Sequence, residues 1–223
     1  TAGNLAAFAM MAHEQGKSDY AIQFGDARAI EELLVKIASN ETGIGRTLAK
    51  GIRHAAAVFG MEDQAVHVKG MEPAGYDPRV LKGMGLAYAT SERGACHLRA
   101  FPLFADDPFK LRDLAKDVVA MQNANGAKWS MCFCDFWGSV DTTVMADLLT
   151  KGLGRQVSAT DLDKVGERIW NLVRLFNLAA GFTAADDTLS EKITKRALER
   201  TSPQLQREIE NQFRRLERKR NKR

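Results

Sequence analysis

Residues 158–176, SATDLDKVGERIWNLVRLF, carry a regular pattern that decides the fold class of the chain. Ser158 followed three residues later by Asp161 is typical of a helix N-terminus, because each side chain can accept a hydrogen bond from the other's backbone N–H. Apolar side chains then recur at three- and four-residue spacing, which predicts an amphipathic helix from Asp161 to Phe176. The positions on its apolar face are Leu162, Val165, Ile169, Leu172 and Leu175.

The same helical spacing recurs in four further segments. Asp26 stands before the first of them as a plausible cap. A short apolar run over residues 65–68 is a candidate strand, but no other stretch alternates for long enough to indicate a sheet. The fold class is therefore predicted to be mainly α. The four helical segments are residues 27–37, 47–59 and 140–149, and one that opens at Asp107-Pro108.

The composition excludes several classes of protein. The chain has 223 residues, of which 45% are hydrophobic and 27% are charged, and its formal net charge is +4. This balance excludes an intrinsically disordered chain, and no apolar run reaches the roughly 18 residues of a membrane-spanning helix. Three cysteines, two of them separated by one residue, do not make a secreted disulfide framework, so a reducing, cytoplasmic location is predicted.

The C-terminal segment differs in charge from the rest of the chain. Residues 192–223 carry twelve Lys or Arg and four Glu, a net charge of +8, whereas residues 1–191 carry a net charge of −4. Ser202-Pro203 begins a predicted basic helix, which is interpreted as a solvated surface rather than a nucleic-acid contact. The apolar helix predicted over residues 1–11 would expose a bare face, so a fragment of a longer chain is expected.

Residues 69–99 interrupt the helical pattern. They are rich in glycine and include Pro73 and Pro78. Long irregular segments inside helical domains are usually functional, and glycine lets the backbone approach a ligand closely. The segment is therefore predicted to face a ligand. His97 is the candidate for moving a proton there, since imidazole exchanges a proton near neutral pH; a histidine that only packs the loop is the alternative.

A second irregular stretch, residues 128–138, places Cys132 and Cys134 among four aromatic rings. With Cys96 and His97, these thiols are candidate metal ligands. A zinc site made only from them is disfavoured, because adjacent residues rarely both reach one ion. One thiolate that completes an iron–sulfur cluster is chemically easier. Three buried cysteines without a ligand role are the alternative that composition favours.

Seven short motifs carry a resemblance to a known family. They are VKGME (68–72), YDPR (76–79), KGMGLAYATS (82–91), RGACHLR (93–99), GERIWNL (166–172), RLFN (174–177) and DDTL (186–189). In these motifs residues 1–191 closely resemble the aldehyde ferredoxin oxidoreductase family of tungsten or molybdenum pterin enzymes. Such enzymes also have an N-terminal β-rich domain, which cradles the pterins and supplies three cysteines of a 4Fe–4S cluster.

The resemblance implies a domain organisation. The chain would correspond to the two C-terminal, mostly helical domains of the family, with the N-terminal β-rich domain missing. Residues 1–66 are predicted to form a partial first helical domain, and residues 67–191 a second one that contains the glycine-rich, cofactor-facing loop. Residues 192–223 are predicted to form a basic helical tail.

Cofactor ligands also follow from the resemblance. Cys134 matches the family's fourth cluster cysteine and would be the metal ligand of this chain. Ser130, Phe133 and Asp135 lie in the same cofactor-binding pattern. Trp129 departs from that pattern, because family members usually carry a pterin-binding aspartate at this position.

The implied chemistry is the oxidation of an aldehyde to a carboxylic acid. His97 matches a histidine near the metal with a role in proton transfer, and Arg99 is predicted to reach a pterin phosphate. A tungsto- or molybdopterin and the 4Fe–4S cluster would pass two electrons to ferredoxin. The implied partners are ferredoxin, the aldehyde, the N-terminal domain and a second copy in a homodimer. Neither a membrane nor a nucleic acid is expected.

Two alternatives to this function stay open. Tungsten subunits that reduce aromatic acyl-CoA thioesters share the family resemblance, and the Cys132-Phe133-Cys134 variation would fit a changed substrate. A non-catalytic helical binding module with a basic tail is the other alternative. The fragment alone is expected to be inactive, because its cluster and pterin platform would be incomplete.

Overall fold

The computed structural model describes residues 1–102, 111–138 and 140–195, and for residues 111–113 and 195 it describes the backbone alone. These residues are mainly α-helical, as predicted. Where a strand was expected over residues 65–68, an isolated antiparallel bridge joins Val68 to Met71, so that expectation is wrong. The helices are α1 (Ala2–Glu14), α2 (Ala27–Ala38), α3 (Ile44–Ala49), α4 (Ile52–Phe59), α5 (Lys82–Thr90), α6 (Leu111–Ser130), α7 (Thr142–Leu153), α8 (Ala159–Ala179) and α9 (Glu191–Lys195).

Two predicted helix starts lie outside the described residues, at Asp107-Pro108 and at Ser202-Pro203. Across the ranges that the structure covers, no helix is both long enough and apolar enough to cross a membrane.

Helices α1 to α4 contribute to one apolar core. Asp26 caps α2 as predicted, since its Oδ1 accepts the backbone N–H of Ala29 at 3.0 Å. The single helix predicted over residues 47–59 is wrong: Gly51 adopts a φ of 87° and separates α3 from α4. The largest fully buried side chains of this core are Ile22, Leu33, Leu48, Ile52 and Met61.

Helix α5 lies inside the segment that was predicted to be irregular, so that prediction is wrong over residues 82–90. Gly83 is buried, and a Cβ at this position would come within 2.8 Å of Pro102 and 3.0 Å of Leu114, which is on α6. Glycine is needed here for helix packing rather than for the approach of a ligand.

Helices α6 and α8 pack along each other at a glycine contact. A Cβ on Gly166 of α8 would collide with the backbone carbonyl of Asn123 on α6. Next to this contact, Nε1 of Trp170 donates to the carbonyl oxygen of Gln122 at 2.5 Å. The capping box predicted at the start of α8 is confirmed: the Ser158 hydroxyl accepts from the N–H of Asp161, and the Asp161 carboxylate accepts from that of Ser158.

Candidate active site

A cavity of about 420 Å³ lies where the loop after α5 faces the end of α6 and the start of α7. Its volume is in the range of small-molecule sites. Of the predicted site residues, His97 and Asp135 are in its wall. Four further wall residues had no predicted role. The six are Tyr76, His97, Phe101, Lys128, Asp135 and Asp141.

His97 is half-buried between two aromatic rings of this cavity. Its ring centroid lies 5.5 Å from that of Tyr76 and 6.2 Å from that of Phe101. Tyr76 and Phe101 themselves meet edge to face at 4.9 Å. Within the described part of the chain, no residue forms a hydrogen bond with the imidazole nitrogens. Contacts with these two rings therefore hold the imidazole, and the described residues leave both of its nitrogens without a hydrogen bond.

The backbone that follows His97 is fixed by α6. Nδ2 of Asn125 donates to the carbonyl oxygen of Leu98 at 3.1 Å and to that of Arg99 at 3.2 Å. Asn125 also lines the cavity. One amide side chain thus holds the carbonyl groups of the two residues that follow His97, and so fixes the backbone on this side of the histidine.

The side chain of Arg99 is engaged by two partners. Its Nε lies 2.5 Å from the Glu92 carboxylate, and its guanidinium carbon lies 3.8 Å from the centre of the Trp129 ring. Glu92 is fixed in turn, because its backbone carbonyl accepts a hydrogen bond of 2.7 Å from Asn177 on α8. These contacts position the loop, and the contact of Arg99 with a pterin phosphate stays a prediction.

Lys69 is a buried charge that sequence reasoning missed. Its side chain is 2% exposed, and Nζ lies 2.7 Å from the Asp187 carboxylate. It also donates to the carbonyl oxygens of Ala89 at 3.0 Å and Ser91 at 3.1 Å. Asp187 pairs with Arg174 of α8 at 2.6 Å. The cluster ties the end of α5 to α8, and the only sequence signal for it was that Lys69 and Asp187 both lie in family-like motifs.

A buried phenol and an ion pair support the Tyr76 side of the cavity. The Tyr88 hydroxyl donates to the carbonyl oxygen of Tyr76 at 3.3 Å. Burial raises the pKa of Tyr88, so the phenol stays protonated at neutral pH. Burial also acts to raise the pKa of Asp77, but hydrogen bonds from Arg79 outweigh it and lower that pKa overall. Asp77 therefore stays ionised at neutral pH.

The loop after α6 brings Asp135 into the cavity wall. Nε1 of Trp129 donates to Oδ1 of Asp135 at 2.6 Å, which fixes the carboxylate. Ser130 is exposed, and its hydroxyl bonds to the backbone of its own helix. Phe133 packs its ring 6.0 Å from that of Trp137. No ligand contact is assigned to Ser130 or Phe133 by this geometry, so their cofactor-binding roles stay predictions.

The three thiols have different environments. Cys96 is buried, with Sγ 2.8 Å from a guanidinium nitrogen of Arg93, whereas Cys132 and Cys134 are exposed. The alternative that all three are buried is therefore wrong. Among the described residues, no group of three or more His, Cys, Asp or Glu side chains is placed to hold a metal. An exposed thiol such as Cys134 fits a single-ligand role, in which the remaining ligands come from elsewhere.

Comparison with known proteins gives a consistent result. A family model described as aldehyde ferredoxin oxidoreductase, domains 2 and 3, matches residues 1–219. The chain is 34% identical over 198 residues to the tungsten-containing aldehyde ferredoxin oxidoreductase of Pyrococcus furiosus, which is 82% of this chain and 31% of that protein. It is 33% identical over 197 residues to the protein of the same name from Thermococcus kodakarensis, with the same coverage. The chain thus spans less than a third of the length of these relatives.

Proposed function

The chain belongs to the aldehyde ferredoxin oxidoreductase family, and on that premise we propose that it is the C-terminal part of a tungsten or molybdenum pterin enzyme that oxidises aldehydes to carboxylic acids with ferredoxin as electron acceptor. The observation that carries this proposal is the half-buried imidazole of His97, whose nitrogens face no hydrogen-bonding partner within the described residues of the cavity. The names of these relatives support the class of reaction.

His97 is the proton carrier in this proposal. Oxidation of an aldehyde and water to a carboxylic acid releases two protons and two electrons. A bound pterin metal and 4Fe–4S cluster supply the chemistry that takes up and passes on the electrons. The imidazole takes up a proton beside the aromatic ring of Tyr76, and Asn125 keeps the loop that carries His97 in place.

Cys134 is the proposed cluster ligand of this chain. Its thiol is exposed on the loop after α6, where a metal can approach it, and a side-chain hydrogen bond from Trp129 to Asp135 ties that loop to the end of α6. Ser130, Phe133 and Asp135 are proposed to support the cofactor around it. Arg99 would bind a pterin phosphate only by sharing its guanidinium with Glu92.

The role of His97 is tested with His97→Gln in a holoenzyme that contains this chain. We expect kcat to fall by about 10²–10⁴-fold, the usual contribution of a positioned acid or base, with tungsten or molybdenum and iron contents unchanged. His54→Gln is the matched control, because His54 is half-buried on α4 and outside the cavity wall. Normal turnover of the His97 variant at normal metal content would refute the proton role.

A further inference from the structure

Lys128 is a buried cation in the wall of the His97 cavity. It lies in the last turn of α6, and only 6% of the residue is exposed. Its Nζ donates one hydrogen bond, of 2.8 Å, to the backbone carbonyl oxygen of Trp137. An ammonium group has three N–H donors, so two of them remain for another acceptor.

The charge of Lys128 has no direct counter-ion among the described residues. Two carboxylates share the cavity wall, but both are engaged elsewhere. Asp135 accepts the indole N–H of Trp129 at 2.6 Å. Asp141 accepts two backbone N–H groups at the start of α7, each at 2.9 Å, and the helix dipole stabilises its charge there. A buried ammonium without an ion-pair partner is costly, and a bound anion would lower that cost.

The remainder of the wall is mostly apolar. The aromatic rings of Tyr76 and Phe101 line the cavity together with the side chain of Met145. The wall thus combines one buried ammonium with apolar and aromatic side chains, while its two carboxylates accept hydrogen bonds from Trp129 and from the start of α7. The ammonium and the apolar wall suit an amphiphilic ligand, in which a small apolar body carries a single negative charge.

We propose that the His97 cavity binds an organic carboxylate, with its apolar body against Tyr76 and Phe101 and its carboxylate on the ammonium of Lys128. The role of this site rests on the proposed function, because a carboxylate is what aldehyde oxidation produces. The site holds the product next to His97 and makes product carboxylates competitive inhibitors. Binding itself needs no cofactor.

The rival explanation is structural. Lys128 holds the loop after α6 in place through its hydrogen bond to the Trp137 carbonyl oxygen, and it would do so with no ligand present. That role predicts no preference between charged and neutral ligands of the same shape. The two explanations are therefore separated by the charge of the ligand rather than by the mutation alone.

The first test titrates the 223-residue chain with benzoate and with benzamide, its neutral counterpart of similar shape, by calorimetry. A charge-assisted hydrogen bond predicts that benzoate binds at least about tenfold more tightly, and that its affinity falls as salt is added. Equal affinities for the two probes, or no detectable binding of benzoate, would overturn the proposal.

The second test compares variants. Lys128→Met is expected to weaken benzoate binding by about tenfold or more and to leave benzamide binding unchanged, whereas Lys128→Arg keeps the charge and retains the preference. Lys151→Met is the control, because Lys151 is exposed on α7 and pairs with Asp147. Should Lys128→Met not fold, the benzoate-to-benzamide ratio of the native chain decides. Absence of that preference in the native chain, or its persistence in a folded Lys128→Met variant, overturns the carboxylate site alone, whereas normal turnover of His97→Gln overturns the proposed function alone.

Discussion

At the scale of single residues, Cys132 has an unusual backbone. Its φ is 60°, in the left-handed region that favours glycine, and a side chain there costs about 1–2 kcal/mol. Since the thiol is exposed, little packing is lost when it is removed. We therefore expect Cys132→Gly to raise the free energy of unfolding by up to about 1 kcal/mol, after the extra chain entropy of glycine is deducted. Urea titration of the chain measures this change.

Cys134→Gly is the matched control for that measurement. Cys134 is also exposed and lies two residues away, but its φ is not positive. Glycine at this position adds chain entropy without relieving strain, so it is expected to lower stability. An equal loss of stability in both variants would contradict the account of strain at Cys132.

Of the six site residues that the sequence predicted, two, His97 and Asp135, lie in the wall of the cavity. The RGACHLR motif indicated His97, and the structure places this residue in a cavity wall. The motif gave no sign that Lys128 would lie in the same wall, because Lys128 is far away along the chain and its burial depends on how α6 packs. Composition favoured three buried cysteines, but Cys132 and Cys134 are exposed. Composition could not show this, because the exposure of a side chain depends on tertiary structure.

At the scale of helices, the contact between α6 and α8 depends on Gly166. A Cβ there would meet the backbone of Asn123, which cannot turn away as a side chain could. We expect Gly166→Ala to lower the free energy of unfolding by about 1–3 kcal/mol or more, because the two helices must move apart. Thermal or urea unfolding of the chain measures the loss.

Gly152→Ala gives the opposite sign in the same experiment. Gly152 lies on α7, and no heavy atom among the described residues lies within 4 Å of the position its Cβ would take. Alanine there is expected to stabilise the helix by up to about 1 kcal/mol. A Gly166→Ala variant as stable as Gly152→Ala would contradict the close approach of α6 and α8.

Helix positions were largely predictable from apolar periodicity, and helix interruptions were not. The capping signals at Asp26 and Ser158 are local, so the sequence alone identified them. The break at Gly51 and the helix around Gly83 required tertiary information. Glycine permits either a turn or a close helix contact, and at Gly83 the neighbouring side chains of Pro102 and Leu114 decide for the close contact.

At the scale of the whole molecule, the candidate site joins two distant parts of the chain. The loop around His97 and the loop around Asp135 meet at one cavity because α6 runs between them and Asn125 bonds back to the first loop. The buried pair of Lys69 and Asp187 anchors α5 to the C-terminal part of the fold. The fold thus brings together the two loops on which His97 and Asp135 lie.

The proposed role of Cys134 is to supply one cluster ligand from this fold to a pterin oxidoreductase. The most direct measurement is the iron content of a holoenzyme containing this chain, compared between Cys134→Ala and Cys132→Ala, two exposed thiols on the same loop. The account predicts that iron per chain falls in the Cys134 variant, because one of four thiolate ligands is lost, and stays at the native value in the Cys132 variant. Full iron content in Cys134→Ala would contradict it.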